Sequence, residues 1–424
     1  YPNDNSIILL NDKQKVVYNK GASEERVTVV AKILNQAGID DWKESNIDYN
    51  PYTESLIVER AEVLKKDGSK VKAETNDGDL VFTSLEPGDG VSYTYRIKEY
   101  NKGRLSAYYW DNFHFDYFVP VQCSRYTLIL PASQTPDYKL LNTNIQPLVK
   151  QNKGLKLYTW QIKDLPAIQS ERYMPPFSDI GQRLEISSIP DWSYIADWYS
   201  DVSSKKADMD FDINAVVDTL LQGKQDLSEL EKAKRIYAYI VKHVNYSDVS
   251  FLHSAYTPQR ASRTLNTRLG DCKDLSTLYV AMAKIAGLKS SLVLVDTREN
   301  GDDHLLMPGI GFNHCIATVR AEGKDYLVEL TNPYLPFGAL SAYTRHASGL
   351  YIPRPGDVQT GNTLVKLTAN TDLPETTVKH TLITIGGTDI NVKRHCTFNG
   401  SQAASIRYSY ANAGKDDQYK TMLG

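Results

Sequence analysis

At 424 residues the chain is longer than one core of ordinary size takes, so two or three domains are expected, and 41% hydrophobic residues suffice to pack them. A net charge of -3 with dispersed basic residues leaves no electrostatic footprint for nucleic acid and no polybasic patch for lipid, and no run reaches the length of a transmembrane helix. Four scattered cysteines, Cys123, Cys272, Cys315 and Cys396, argue against a disulfide scaffold and against a zinc ribbon.

The chain opens on Tyr1 rather than Met, and residues 1–20 carry neither a charged n-region nor an apolar h-region, so residues removed upstream are expected. Residues 1–170 read as a β-rich, sandwich-like domain. Val27 to Leu34 is rich in β-branched residues, Leu56 to Leu64 runs into the hairpin signal Lys66-Asp67-Gly68-Ser69, and Val91, Tyr93, Tyr95 and Ile97 alternate after Pro87-Gly88-Asp89-Gly90. The aromatic run Tyr108 to Phe115 could line a carbohydrate or peptide surface, but strand spacing favours a sandwich core. Pro166, Pro175, Pro176 and Pro190 then punctuate an extended surface connector, with 171–189 as the linker between domains.

Residues 190–350 form the central α+β domain. Trp192, Ile195, Ala196 and Tyr199 share one helical face. A longer helix opens on the capping-box pair Ser228 and Glu231, carries an apolar stripe from Leu230 to Val244, and places His243 in its last turn as a cap. Residues 246 to 270 read as an irregular connector. A helix beginning close to Cys272, with Leu275, Leu278, Met282 and Ile285 facing inward, ends at Ala286-Gly287. Short strands follow at Leu292 to Val295, Cys315 to Val319 and Tyr326 to Leu330. From 351 to 424 strands return as a C-terminal β domain, with Gly386-Gly387 as a hairpin signal.

The chemistry gathers around Gly270-Asp271-Cys272-Lys273-Asp274. A cysteine in the first turn of a helix meets unpaired backbone N–H groups and the positive end of the dipole, which favour a thiolate. Lys273 adds positive charge nearby. Ala321-Glu322-Gly323-Lys324 should join the next two strands as a hairpin. With Arg320 opposite Asp325, His314 faces Thr331 and Glu329 is its diagonal neighbour on the same face, whereas a slip of one residue separates them. His314 would then take the thiol proton and Glu329 would hold the ring, with Asn332 a competing orienter on the other face. Tyr246, Tyr256 and Gln259 are the candidates for an oxyanion or substrate donor beside the Cys272 backbone N–H. Cys315 reads as a buried strand cysteine. His304, His314 and Asp302 or Asp303 could suggest a metal hydrolase, but an acidic loop is the simpler reading, and no metal or cofactor is expected.

Gly270-Asp271-Cys272-Lys273-Asp274 before a helix, Phe312-Asn313-His314 opening a strand and an acidic residue on the next strand resemble the bacterial transglutaminase-like superfamily. Asp191-Trp192-Ser193, Tyr256-Thr257-Pro258 and Leu335-Pro336-Phe337-Gly338 extend the resemblance over about residues 190 to 340. It implies a fold related to papain-like cysteine proteases. It also implies a Cys-His-Asp triad, with Cys272 and His314 matching and Glu329 standing where the family usually has Asp. Residues 1–170, with Asp67-Gly68, Leu85-Glu86-Pro87-Gly88 and Trp160, are similar to an uncharacterised β-rich domain of exported bacterial proteins, which implies an extracytoplasmic setting. The expected function is a thiol enzyme acting on amide or peptide bonds of a polypeptide substrate through an acyl-enzyme, with hydrolysis favoured over transfer to an amine. The competing expectation is a binding or assembly protein that keeps the fold without turnover.

Overall fold

The computed structural model describes residues 4–18, 21–223, 226–247, 256–353, 364–411 and 413–423. It has two compact units, Tyr1–Tyr194 with Asn300–Ile310 and Ile195–Glu299 with Gly311–Gly424.

The first unit holds strands β1 (Ser6–Val17), β2 (Ala22–Ile33), β3 (Glu44–Asn46), β4 (Glu54–Leu64), β5 (Lys70–Lys72), β6 (Glu74–Asn76), β7 (Asp79–Val81), β8 (Gly90–Tyr100), β9 (Trp110–His114), β10 (Val121–Pro131), β11 (Tyr138–Leu141), β12 (Leu148–Asn152), β13 (Leu155–Leu165) and β14 (Arg183–Ser187), with short helices α1 (Gln36–Trp42) and α2 (Phe177–Ile180). An eight-stranded sheet runs β12-β13-β10-β1-β2-β8-β4-β5, and three-stranded sheets β11-β14-β9 and β3-β7-β6 accompany it. All pairings in the large sheet are antiparallel except β1 with β10.

Alternation explains the layering. Tyr126, Leu128 and Leu130 of β10 and Trp160 of β13 turn one face of the large sheet towards Phe113 of β9 and Leu184 and Ile186 of β14. Val63, Val91 and Ile97 do the same towards Leu80 and Phe82. The fold is the sandwich-like antiparallel one expected, with its second layer split in two. The aromatic run divides: Phe113 and Phe115 are core residues, ring centroids 5.0 Å apart, while Tyr108 stays half-buried.

The stretch expected as a surface connector is in part a strand. All five residues of β14 are buried, because the prolines bracket Arg183–Ser187 rather than interrupt it. This strand and α2 also hold the chain where it returns at Asn300–Ile310. Asp179 Oδ2 and Oδ1 accept from the amides of Asp302 (3.0 Å) and Asp303 (2.9 Å), and Arg183 donates to the carbonyls of Asp303 and His304. Glu185 accepts from the amides of Leu306 and Met307, each at 3.0 Å, and Ser187 donates to the carbonyl of Pro308 at 2.6 Å. Asp302, Asp303 and His304 are thus a backbone-anchored strap, and among the described residues no group of three or more His, Cys, Asp or Glu side chains could hold a metal ion. Glu185→Ala strips two strap amides of their acceptor and is expected to cost about 1–3 kcal/mol. Urea unfolding, with limited proteolysis between residues 300 and 310, checks this.

The second unit holds helix α3 (Trp192–Ser203) from Ile195 onward, and helices α4 (Phe211–Leu221), α5 (Glu229–His243), α6 (Ala261–Thr267), α7 (Cys272–Ile285), α8 (Gly400–Ala411) and α9 (Lys415–Leu423). Its strands are β15 (Asn245–Tyr246), β16 (Leu269–Gly270), β17 (Lys289–Asp296), β18 (His314–Ala321), β19 (Lys324–Val328), β20 (Ser348–Tyr351), β21 (Val365–Lys366), β22 (Thr377–Gly386) and β23 (Asp389–Phe398). A five-stranded sheet runs β19-β18-β17-β20-β21.

The expected capping box of α5 is present, and His243 lies in its last turn, exposed, with its ring 4.7 Å from Tyr239. The connector expected to be irregular contains α6; its residues 248–255 lie outside the described residues. The stretch expected as a C-terminal β domain is mixed. β21 extends the five-stranded sheet, the Gly386-Gly387 hairpin forms, and α8 and α9 follow with almost no apolar stripe to announce them. Residues 354–363 of it lie outside the described residues.

Candidate active site

Cys272 is the first residue of α7, and the local sequence makes that start sharp. Asp271 is the N-cap: its Oδ1 accepts from the amide of Asp274 (3.2 Å), while Asp274 Oδ2 accepts from the amide of Asp271 (3.3 Å), a reciprocal capping box. Gly270 is required by close approach, since a Cβ there would lie 2.8 Å from Asp274 Cβ and 3.0 Å from Thr264 Cγ2.

α7 is more deeply buried than one inward stripe would make it. Every residue from Cys272 to Tyr279 is buried, packed among Ile213, Ala233, Ile236, Ile240, Ala317 and Val319. Low-dielectric surroundings leave the positive end of its dipole little screened by water. Lys273 does not point to solvent: it is 2% exposed and ion-paired with Asp271, which neutralises its charge. Its expected contribution of free positive charge is therefore corrected.

His314 opens β18 because Asn313 pins the chain just before it, accepting from the amide of Thr297 (2.9 Å) and donating to Thr297 Oγ1 (2.7 Å). The hairpin register is the one that keeps His314 and Glu329 on one face, with Arg320 opposite Asp325 and Ala317 opposite Val328. Pairing stops at Val328, and Glu329 lies one residue beyond it. His314 Nε2 and Glu329 Oε2 are 3.0 Å apart, with the side chains 13% and 2% exposed. Glu329 Oε1 accepts from Thr331 twice, from the amide at 3.1 Å and from Oγ1 at 2.8 Å.

The charges reinforce one another. Burial opposes charge on His314, but the Glu329 carboxylate and hydrogen bonding to Cys272 and Glu329 outweigh it and raise the imidazole well above its ordinary value. Burial likewise opposes the Glu329 carboxylate, and the charge of His314 with hydrogen bonds from His314 and Thr331 holds it below the usual carboxylate range. With Nε2 committed to Glu329, Nδ1 is the ring nitrogen left for the thiol.

The structure thus brings Cys272, His314 and Glu329 together. Asn332 is used elsewhere, accepting from the amide of Tyr334 at 3.0 Å. Tyr246 pairs with Gly270 across β15 and β16, which sets it two residues before the thiol. Tyr256 is buried in a left-handed conformation (φ 48°), its ring 5.8 Å from Trp198. Gln259 donates through its amide (2.7 Å) and Nε2 (2.9 Å) to Asp274, and so serves the helix cap. Cys315 is 1% exposed, as a buried strand cysteine should be, and burial pushes its thiol well up.

Two residues escaped the sequence reading. Thr331 was placed opposite His314 by the register, but its clamp on Glu329 appears only where the chain leaves the strand. The helical spacing gives Tyr199 only a packing face; its hydroxyl is buried, and burial with the neighbouring Cys315 and Cys272 thiols pushes it well above the ordinary phenol value.

Residues 214–328 match the family model described as the transglutaminase-like superfamily, and residues 19–169 match a Domain of Unknown Function, DUF3857. A crystal structure described as a "putative protease" from Parabacteroides distasonis shares the fold, with a TM-score of 0.69 at 15% identity over 96% of this chain and 97% of that one. A "putative cysteine protease" from Cytophaga hutchinsonii gives a TM-score of 0.27 at 11% identity over 68% of this chain and 92% of its own. An NADPH-dependent 7-cyano-7-deazaguanine reductase of Helicobacter acinonychis is 25% identical over 127 residues, which are 26% of this chain and 86% of the reductase.

Proposed function

For a chain whose residues 214–328 are a transglutaminase-like domain behind a DUF3857 module, we propose thiol-dependent cleavage of an amide or peptide bond with water as the acyl acceptor. Cys272 gives its proton to His314 and attacks the carbonyl carbon. The tetrahedral oxyanion collapses, the amine leaves with the proton returned by His314, and a thioester remains on Cys272. Water then gives a proton to His314, attacks the thioester, and releases the acid and the thiol. Glu329 keeps Nε2 protonated and balances the imidazolium throughout.

The observation that carries this reading is the 3.0 Å contact between His314 Nε2 and Glu329 Oε2, on a ring that also interacts with a thiol at a helix start. A peptidase or amidase is the reading we adopt over a cross-linking enzyme, with the partly exposed His314 side chain (13%) as the group that would activate the water. The first-turn amide of Cys272 has no acceptor among the described residues and suits the oxyanion, with Tyr246 beside it as second candidate.

Alkylation of the intact protein by iodoacetamide, with sites read by mass spectrometry, tests the chemistry. Cys272 should react faster at neutral pH than Cys123 or Cys396, although both of those are less buried. Labelling in order of exposure would leave a binding or assembly protein instead. Release of free acid rather than amine conjugate from a peptide amide offered with excess lysine decides the acceptor.

A further inference from the structure

We propose that the first unit carries a binding pocket for a neutral saccharide, formed where the ends of β1, β8 and β10 meet the chain around Tyr108 and Ser188. The cavity has a volume of about 270 Å³, near the lower end of small-ligand sites. It lies wholly in this unit, and its assignment does not depend on the chemistry of Cys272.

The lining chemistry selects the ligand. Tyr18, Tyr108 and Tyr109 supply aromatic surface, Asn101, Gln134, Ser23 and Thr135 supply amides and hydroxyls, and among the described residues no charged side chain lines the cavity. At the floor, Ser23 Oγ and Asn101 Nδ2 each donate to Glu99 at 2.8 Å, and Glu99 is itself paired with Lys15 at 3.4 Å. The Ser23 hydroxyl proton is therefore spent and Ser23 Oγ is left as an acceptor, while Asn101 keeps Oδ1 as an acceptor and the second N–H of Nδ2 as a donor. A ligand that satisfies them brings O–H groups, which donate to Ser23 and Asn101 and accept from Asn101. An anion would approach the Glu99 carboxylate behind Ser23 and Asn101, and a cation would meet a carboxylate already paired with Lys15.

The rest of the wall supplies the complement. Tyr18, Gln134 and Thr135 have no side-chain partner among the described residues, nor does the Tyr109 hydroxyl, and burial pushes that phenol up to about 12, so it stays a neutral donor. A polyol ring with hydroxyls on its edge and C–H groups on its faces fits acceptors below and aromatic rings beside it.

The frame is preformed. Ser188 Oγ accepts from the amide of Tyr109 (2.9 Å) and donates to its carbonyl (3.2 Å), and Tyr108 stands edge-on to Tyr194 at 4.8 Å. Gly21 passes so close to the next turn that a Cβ would lie 2.5 Å from the Ser106 carbonyl oxygen. The aromatic run read from the sequence thus serves two ends: its phenylalanines and Tyr109 belong to the core, and Tyr108 and Tyr109 border this cavity.

Saturation-transfer NMR on the full chain tests the assignment with cellobiose, maltose and N,N′-diacetylchitobiose as probes. At least one should receive saturation on its ring protons with a Kd on the order of 10⁻³ M. The double variant Tyr18→Ala/Gln134→Ala, which touches no core residue and no residue of the thiol site, should weaken it about tenfold. Silence from all three sugars, an unchanged signal in the double variant, or equal binding of glucuronate would overturn the proposal. So would silent sugars with a tetra-alanine signal that the double variant abolishes, which would give the pocket to peptides.

Discussion

Cys272→Ala is expected to remove amide turnover altogether and to leave no fast-alkylating position in the protein. His314→Gln should come close to it, lowering turnover by on the order of 10⁴-fold and the alkylation rate at Cys272 by on the order of 10²-fold. The double variant should be no worse than Cys272→Ala alone, because a nucleophile without its base and a base without its nucleophile fail at the same step. Glutamine is the informative replacement at 314. Its amide can still donate to Glu329, so the buried carboxylate keeps a partner, but it cannot accept the thiol proton. Alanine would strip Glu329 of one of its two partners and mix a folding defect into the kinetics. Initial-rate kinetics on a peptide amide, with iodoacetamide labelling and a melting curve for each variant, separate the two. A His314→Gln protein that still turns over within tenfold of the parent would remove the imidazole from the mechanism.

The parts of this site that could be read before any coordinates are those set by local rules. The apolar spacing of Leu275, Leu278, Met282 and Ile285 put a helix start close to Cys272, and a loop closed with Arg320 opposite Asp325 put His314 and Glu329 on one face, where a slip of one residue would have separated them. Non-local features stayed hidden. Lys273 read as a free positive charge because nothing adjacent to it announces that residues Cys272 to Tyr279 of α7 are buried among α4, α5 and β18. β14 was masked by its flanking prolines, and with it the Asp179, Arg183 and Glu185 contacts that hold the strap. Those contacts join residues more than a hundred positions apart. The strap ends only a few residues before His314, so the least legible stretch of the chain leads directly into the most legible one.

Glu329→Gln should collapse the alkaline limb of the pH–rate profile towards the range of an ordinary imidazole and lower turnover by on the order of 10³-fold. The sign follows from the charges. In the parent, Glu329 and Cys272 raise the pKa of His314 against the burial that opposes it. The imidazolium of the ion pair is therefore retained below that raised pKa and lost as pH rises through it. Removing the carboxylate's charge leaves burial to act, and the limb moves to lower pH. Glutamine also presents an N–H that can donate to Nε2, which favours the tautomer with its proton on Nδ1, facing the thiol, where it cannot act as base. Glu329→Asp makes the complementary test of side-chain length. Thr331 holds one oxygen of Glu329 while His314 holds the other, so the longer side chain spans a gap that aspartate is one methylene too short to bridge. The aspartate variant should keep a raised alkaline limb with turnover reduced by about tenfold, and adding Thr331→Val to it should change little. If Glu329→Gln leaves the limb where it was, the imidazolium is held by something other than this carboxylate.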